Sequence, residues 1–217
     1  MEFFVRYLVM SLLANLQAKA MAYTKDSDLV AQSKSFLFLM NNTFYLSEQL
    51  SYSSSLETTA HIIRNKDDEV EGNNYKISGE WFSDQVNKLF DHSKKNYLQD
   101  WEVLNRHLTT VESTSLTYSN PEQKLLTLES GRLLKSRFSG FNEEFENTHS
   151  LHKNLTIIDP KLREKLIQDV KDVFFAKYRE FFTMYSKYQF SKKNMEDYLK
   201  YPPEKVENML AKMFSSY

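Results

Sequence analysis

Apolar side chains recur every three or four residues along most of this chain, which is the spacing of one buried face on an α-helix. Phe3, Tyr7, Met10 or Ser11, and Ala14 share one face of a first helix expected over 2–21. Leu29, Ser33, Phe36, Met40 and Phe44 line a second over 26–50, with Asp26 or Ser27 as its cap. Phe82, Val86, Phe90, Tyr97, Trp101, Leu104 and Leu108 mark a third over 78–108. A fourth is expected to start at Asn120, which caps, with Pro121 at the first helical position and Gln123 completing a capping box. Its stripe reads Leu125, Leu128, Leu134, Phe138, Phe141 and Phe145, and if unbroken to Leu155 it is about 50 Å long. Asp159-Pro160 repeats the cap-then-proline signal ahead of Leu162, Leu166, Val170, Val173 or Phe174, Tyr178, Phe181 and Tyr185. Pro202-Pro203 opens a last short helix that turns Val206, Met209 or Leu210, and Met213 or Phe214 inward.

Two interruptions divide this pattern. Residues 51–74 hold three consecutive serines, an acidic run from Asp67 to Glu71 and then Gly72-Asn73-Asn74. They predict a mobile loop over about 51–77, with part of the stretch 56–63 helical. A serine- and threonine-rich linker covers 109–119. The expected organisation is therefore a helical bundle segment over 1–110 and a C-terminal helical bundle over 120–217. Glycine and proline support it: there are four of each in 217 residues, where average usage gives about fifteen and eleven. So few turn residues exclude an all-β chain and predict an all-α fold of stacked antiparallel helical bundles.

Charge adds one asymmetry. The net charge is −1, so no global field marks a nucleic-acid binder. Residues 1–150 hold 15 Lys and Arg against 20 Asp and Glu, whereas residues 151–217 hold 13 against 9. The basic end is the better candidate for an anionic partner. There, Lys187, Lys192, Lys193 and Lys200 alternate with Tyr185, Tyr188, Phe190, Tyr198 and Tyr201. Lysines beside aromatics suit a membrane interface or a phosphate-bearing partner. They equally suit a solvated loop whose rings turn into the core, and Glu196 and Asp197 in the same stretch weaken the electrostatic case.

Candidate chemistry is otherwise sparse. With no cysteine there are no disulfides, thiolate metal sites or cysteine nucleophiles. His149 and His152 share a helix face, but no carboxylate pattern accompanies them, so helix-end packing is preferred to metal binding. The run ending at Gly72 lacks the alternating oxygen ligands of a calcium loop. Phosphate-binding glycine loops and the serine nucleophile elbow are absent from the sequence. No enzyme activity and no cofactor are expected. Residues 7–16 are apolar and Ala18-Lys19-Ala20 has the look of a cleavage site, but Glu2 precedes Arg6, and an ordinary helix fits better than a signal peptide.

Four stretches resemble a known family. They are Phe38-Leu39-Met40-Asn41-Asn42 with Tyr45-Leu46; Arg137-Phe138-Ser139-Gly140-Phe141-Asn142; Asp159-Pro160 with Leu162-Arg163; and Tyr198-Leu199-Lys200-Tyr201 with Val206, Met209 and Phe214. In order and spacing they are similar to the C-terminal part of the 70-kilodalton subunit of the exocyst, the complex that tethers secretory vesicles to the plasma membrane. The resemblance implies a rod of stacked helical bundles with no enzyme activity. It also implies a cytoplasmic protein, peripheral on the inner plasma membrane at sites of secretion. Its implied partners are other exocyst subunits, a Rho-family GTPase and phosphatidylinositol 4,5-bisphosphate, with no nucleic acid. Lys193 and Lys200 align with family lysines of the lipid-binding region, and Lys192 and Lys205 lie close by. Asp197 stands where the family has a further lysine, and Met195 where it has a proline. That departure leaves a second reading open, a protein-interaction module of the exocyst type that has lost lipid binding. The family's members are far longer, so the chain reads as a fragment, a truncated gene model or a short paralogue.

Overall fold

The computed structural model describes residues 2–24, 29–63, 69–109, 116–122 and 124–215. The fold is all-α. Seven helices are present among the described residues: α1 (Glu2–Tyr23), α2 (Leu29–Ile63), α3 (Glu69–Glu102), α4 (Leu128–His152), α5 (Pro160–Tyr185), α6 (Met195–Tyr198) and α7 (Pro203–Ala211). A 3-10 turn, Val103–His107, follows α3. Two short strands, β1 (Tyr118–Asn120) and β2 (Leu125–Leu126), pair antiparallel ahead of α4, Tyr118 opposite Leu126 and Asn120 opposite Leu125. No helix among the described residues is long and apolar enough to cross a membrane.

The chain forms two compact units, Met1–Tyr97 and Leu98–Tyr217. In the first, Val9, Leu13 and Ala20 of α1, Leu39 of α2, and Val86 and Leu89 of α3 make one buried cluster, with Leu16, Phe38, Leu46, Trp81 and Phe82 against it. The similarity motif around residue 40 serves this packing. Met40 is fully buried, and Asn42 turns its amide back to the Phe38 carbonyl at 2.7 Å. Thr43 is buried as well; its hydroxyl donates to the Leu39 carbonyl at 2.6 Å, so a polar side chain is satisfied inside the helix. The face expected for α1 is not the buried one: Phe3, Tyr7 and Met10 are exposed.

In the second unit α4 and α5 supply the core. Leu134, Phe138, Phe141 and Phe145 of α4 are fully buried. So are Phe174 and Tyr178 of α5, and Leu162, Leu166, Val170, Phe181 and Tyr185 are nearly so. Trp101 stacks on Phe174, its ring at 6.1 Å, which places the end of α3 in this unit and not with the residues before it. The start of α5 is as expected. Asp159 accepts from the main-chain N–H groups of Lys161 and Leu162 at 2.8 and 3.0 Å, and Pro160 needs no partner. Replacing Asp159 by alanine is expected to cost about 0.5–2 kcal/mol, seen as a lower denaturation midpoint for the second unit.

Three further expectations are corrected. Helix occupies most of the loop expected over 51–77, because α2 continues to Ile63 and α3 begins at Glu69. No glycine or proline lies within 51–63, so nothing there forces the helix to end. Pro121 does not open a helix; it follows Asn120 in the turn between β1 and β2, and Lys124 completes that turn at φ 51. The cap of α4 is Thr127, whose hydroxyl accepts from Ser130 N–H. With 25 residues α4 is about 37 Å long, and Leu128 is exposed and off the buried stripe. The caps expected at Asp26 or Ser27, and Gln123, lie outside the described residues.

Candidate functional site

The lysine- and tyrosine-rich segment between α5 and α7 is fixed from beneath by buried aromatics. Phe190 stacks on Phe138 of α4 at 5.2 Å and meets Tyr198 edge-on at 5.8 Å. Tyr201 meets Phe145 edge-on at 5.3 Å, and its carbonyl accepts from the Tyr178 hydroxyl, whose pKa burial raises far above the usual tyrosine value. Of the five interleaved rings, Tyr185, Phe190 and Tyr201 are buried and Tyr188 and Tyr198 half-buried. Most of the aromatic content therefore holds the segment down, and the lysines are what it presents to solvent.

The motif Arg137 to Asn142 supports this arrangement residue by residue. Arg137 donates through Nη1 to the Arg106 carbonyl at 2.8 Å. Phe138 and Phe141 enter the core. Gly140 leaves room for the His107 ring; a Cβ there would lie 2.4 Å from its Nδ1. Asn142 is buried and its amide donates to the carbonyls of Asp197 at 3.2 Å and Tyr198 at 3.0 Å, gripping α6. A second close approach lies one helical stretch earlier, where a Cβ on Gly131 would stand 2.9 Å from the Phe190 carbonyl oxygen.

The four lysines expected at the site fall into two settings. Lys200 and Lys205 meet at Tyr201, their ammonium groups 5.4 and 4.8 Å from its ring centre, and Lys205 Nζ donates to the Lys200 carbonyl at 3.2 Å. Lys200 Nζ also donates to Glu146 Oε1 of α4 at 2.7 Å. This contact raises the Lys200 pKa and holds the Glu146 carboxyl below its ordinary value. Glu146 thus adds stability above the ordinary carboxylate pKa, and that contribution is lost as pH falls through its lowered one. The contribution is small because the pair is solvent-exposed. Lys192 and Lys193 are exposed on the turn between Phe190 and α6. That turn is closed by Ser191, whose hydroxyl donates to the Lys193 carbonyl, and by Asn194 at φ 57. Asp197 is exposed on α6.

His152 packs at the end of α4. It is buried against Trp101, rings 5.2 Å apart, with Asp100 Oδ2 at 3.4 Å from its Nε2. No group of three or more metal-ligating side chains occurs among the described residues. A shallow cleft between α5 and α7 is lined by Arg179, Phe182, Ser186, Glu204 and Glu207. The lowered pKa of Glu207 there has an ion-pair cause, Lys171 at 2.9 Å.

The sequence profile for the C-terminal region of the Exo70 exocyst complex subunit family matches residues 1–212. The chain belongs to this family. Exocyst complex component EXO70A1 of Arabidopsis thaliana is 26% identical over 207 residues, 95% of this chain and 29% of that protein. Exocyst complex component 7 of Homo sapiens is 26% identical over 208 residues, 96% of this chain and 25% of that protein. The Drosophila melanogaster component 7 is 37% identical over a shorter stretch of 82 residues, 38% of this chain and 12% of that protein. The chain thus spans less than a third of the length of these relatives. A solved structure of Saccharomyces cerevisiae Exo70 superposes with a TM-score of 0.56 at 18% identity, covering 97% of this chain and 35% of that one, which shows the shared fold.

Proposed function

We propose that this chain acts as the membrane-proximal part of an exocyst subunit in tethering secretory vesicles to the plasma membrane. In this reading it touches the inner leaflet through phosphoinositide headgroups and binds other exocyst subunits and a Rho-family GTPase. Family membership supports the exocyst role. The observation that carries the membrane role is the turn bearing Lys192 and Lys193, exposed above a rigid aromatic base, with Lys200 and Lys205 on the same segment. Each lysine close to an anionic leaflet contributes about 1 kcal/mol, so a handful give peripheral, salt-sensitive attachment. The test is co-sedimentation with phosphatidylcholine vesicles containing phosphatidylinositol 4,5-bisphosphate. The triple variant K192E/K193E/K200E is expected to lose binding by a factor of about ten or more; equal binding by wild type and variant removes these lysines from the site.

Two observations favour a second reading, a protein-interaction module without lipid contact: the Lys200–Glu146 ion pair and the negative charge of Asp197. It predicts that the wild-type chain ignores such vesicles yet still captures exocyst subunits in a pull-down.

A further inference from the structure

The hairpin formed by β1 and β2 is tied to the lysine–tyrosine segment through main-chain groups. Leu125 bridges to Gln189. Gln189 N–H donates to the Lys124 carbonyl at 3.1 Å, and Leu126 N–H donates to the Gln189 carbonyl at 3.3 Å. These bonds bring two distant stretches of sequence to one place on the surface. Tyr118 of β1 and Tyr188 have ring centres 6.1 Å apart, and the Lys187 ammonium lies 5.8 Å from the centre of the Tyr188 ring. Tyr188 is braced from below by the buried Tyr185 at 6.4 Å. Lys124, Lys187 and Tyr118 are exposed. The Tyr118 hydroxyl senses the whole group: hydrogen bonding to Tyr188 raises its pKa, and Lys187 and Lys124 pull it back down.

The electrostatics here differ from those at Lys200. Neither Lys124 nor Lys187 has an acidic partner among the described residues, whereas Lys200 is already neutralised by Glu146. A phosphate approaching Lys200 has to displace a carboxylate; one approaching Lys124 and Lys187 finds two ammonium groups without a carboxylate and a bonded phenol pair that keeps one hydroxyl hydrogen to donate. Phenol rings at the site also suit the interfacial depth of a bilayer, where an apolar body and a polar tip are both accommodated.

We propose that Lys124, Lys187, Tyr118 and Tyr188 form a phosphate-binding knot that seats a phosphoinositide headgroup at the bilayer surface. The knot adds a second anchoring point to Lys192 and Lys193. This rests on the membrane reading above, and it moves the main electrostatic contact away from Lys200.

Four proteins are compared by flotation with phosphatidylcholine vesicles that contain or lack phosphatidylinositol 4,5-bisphosphate: wild type, K124E/K187E, K124R/K187R and K177E/K212E. The last makes the same charge change at two exposed lysines outside the knot. Since Lys124 is held through its main-chain carbonyl and both lysine side chains are exposed, both knot variants are expected to melt like wild type. K124E/K187E is expected to lose vesicle binding about tenfold or more, K124R/K187R to keep it, and K177E/K212E to change it less than about twofold. Release of the wild type by soluble inositol 1,4,5-trisphosphate is also expected. A wild type that binds no vesicle defeats the membrane reading and this one with it. A wild type that binds, with K124E/K187E binding equally well, overturns the knot and leaves the membrane reading standing. The knot is likewise overturned if K177E/K212E loses as much as K124E/K187E, or if vesicles of phosphatidylserine replace the phosphoinositide with no loss.

Discussion

Phe141→Ala is expected to lower the stability of the second unit by about 3–5 kcal/mol, the largest effect of any single substitution considered. Phe141 is fully buried and stacked on Tyr178 at 3.9 Å, nearly parallel at 8°. Phe145 lies at 5.8 Å along the same helix and Phe174 at 6.2 Å on α5. Removing the ring leaves a void walled by other rings, and rigid aromatics collapse into a cavity less readily than aliphatic chains do. The cost is therefore placed at the upper part of the range for large-to-small changes. Thermal melts followed by far-UV circular dichroism should show the midpoint of the second unit falling by roughly 10–20 °C. A loss below about 1 kcal/mol would mean that the rings are not close-packed.

Asn142→Ala is expected to be the next most damaging, at about 2–3 kcal/mol, and its effect should be local. The substitution takes one donor group from two carbonyls at once, those of Asp197 and Tyr198. Both bonds are shielded on the Asn142 side, and an acceptor left unpaired there costs more than the hydrogen bond itself returned. Because α6 has four residues and buries none of them, it has little else to hold it. Hydrogen exchange is the measurement. The amides of Asp197 and Leu199, which donate to the Asn194 and Met195 carbonyls at 3.3 and 3.0 Å, should exchange much faster in the variant. Amides inside α5 should be unchanged. Uniform acceleration over the whole second unit would contradict the gripping role given to Asn142.

The helical class and several of its parts could be read from residue order alone. The cap at Asp159-Pro160 was legible because both residues act on their own backbone neighbours, and the α4 stripe from Leu134 to Phe145 because a helix makes its burial periodic. Asn120-Pro121 misled for an equally local reason: proline with its fixed φ suits the first turn of a helix and a tight turn alike. What separates the two is pairing between residues 118–120 and 125–126, which no single-residue preference encodes. At residues 51–63 the serines suggested a break, but serine disfavours helix only weakly, and α2 continues there. At the candidate site the lysines were visible as letters. Their partners were not: Glu146 lies 54 positions from Lys200, and Lys124 reaches the segment through bonds to Gln189. Asp197 stood out in the sequence by its charge, whereas its carbonyl is the part that Asn142 holds.

The division between Tyr97 and Leu98 leaves one tryptophan on each side of it. Trp81 is half-buried in the first unit, with the Arg6 guanidinium 5.1 Å from its ring centre. Trp101 is fully enclosed in the second, stacked on Phe174. Indole emission shifts to the blue when water is excluded, so the two fluorophores differ in colour in the folded chain and converge on unfolding. A Trp81→Phe chain reports optically on the second unit alone, and a Trp101→Phe chain on the first. Whether the two units melt together or in sequence can thus be seen with intrinsic light and no added label.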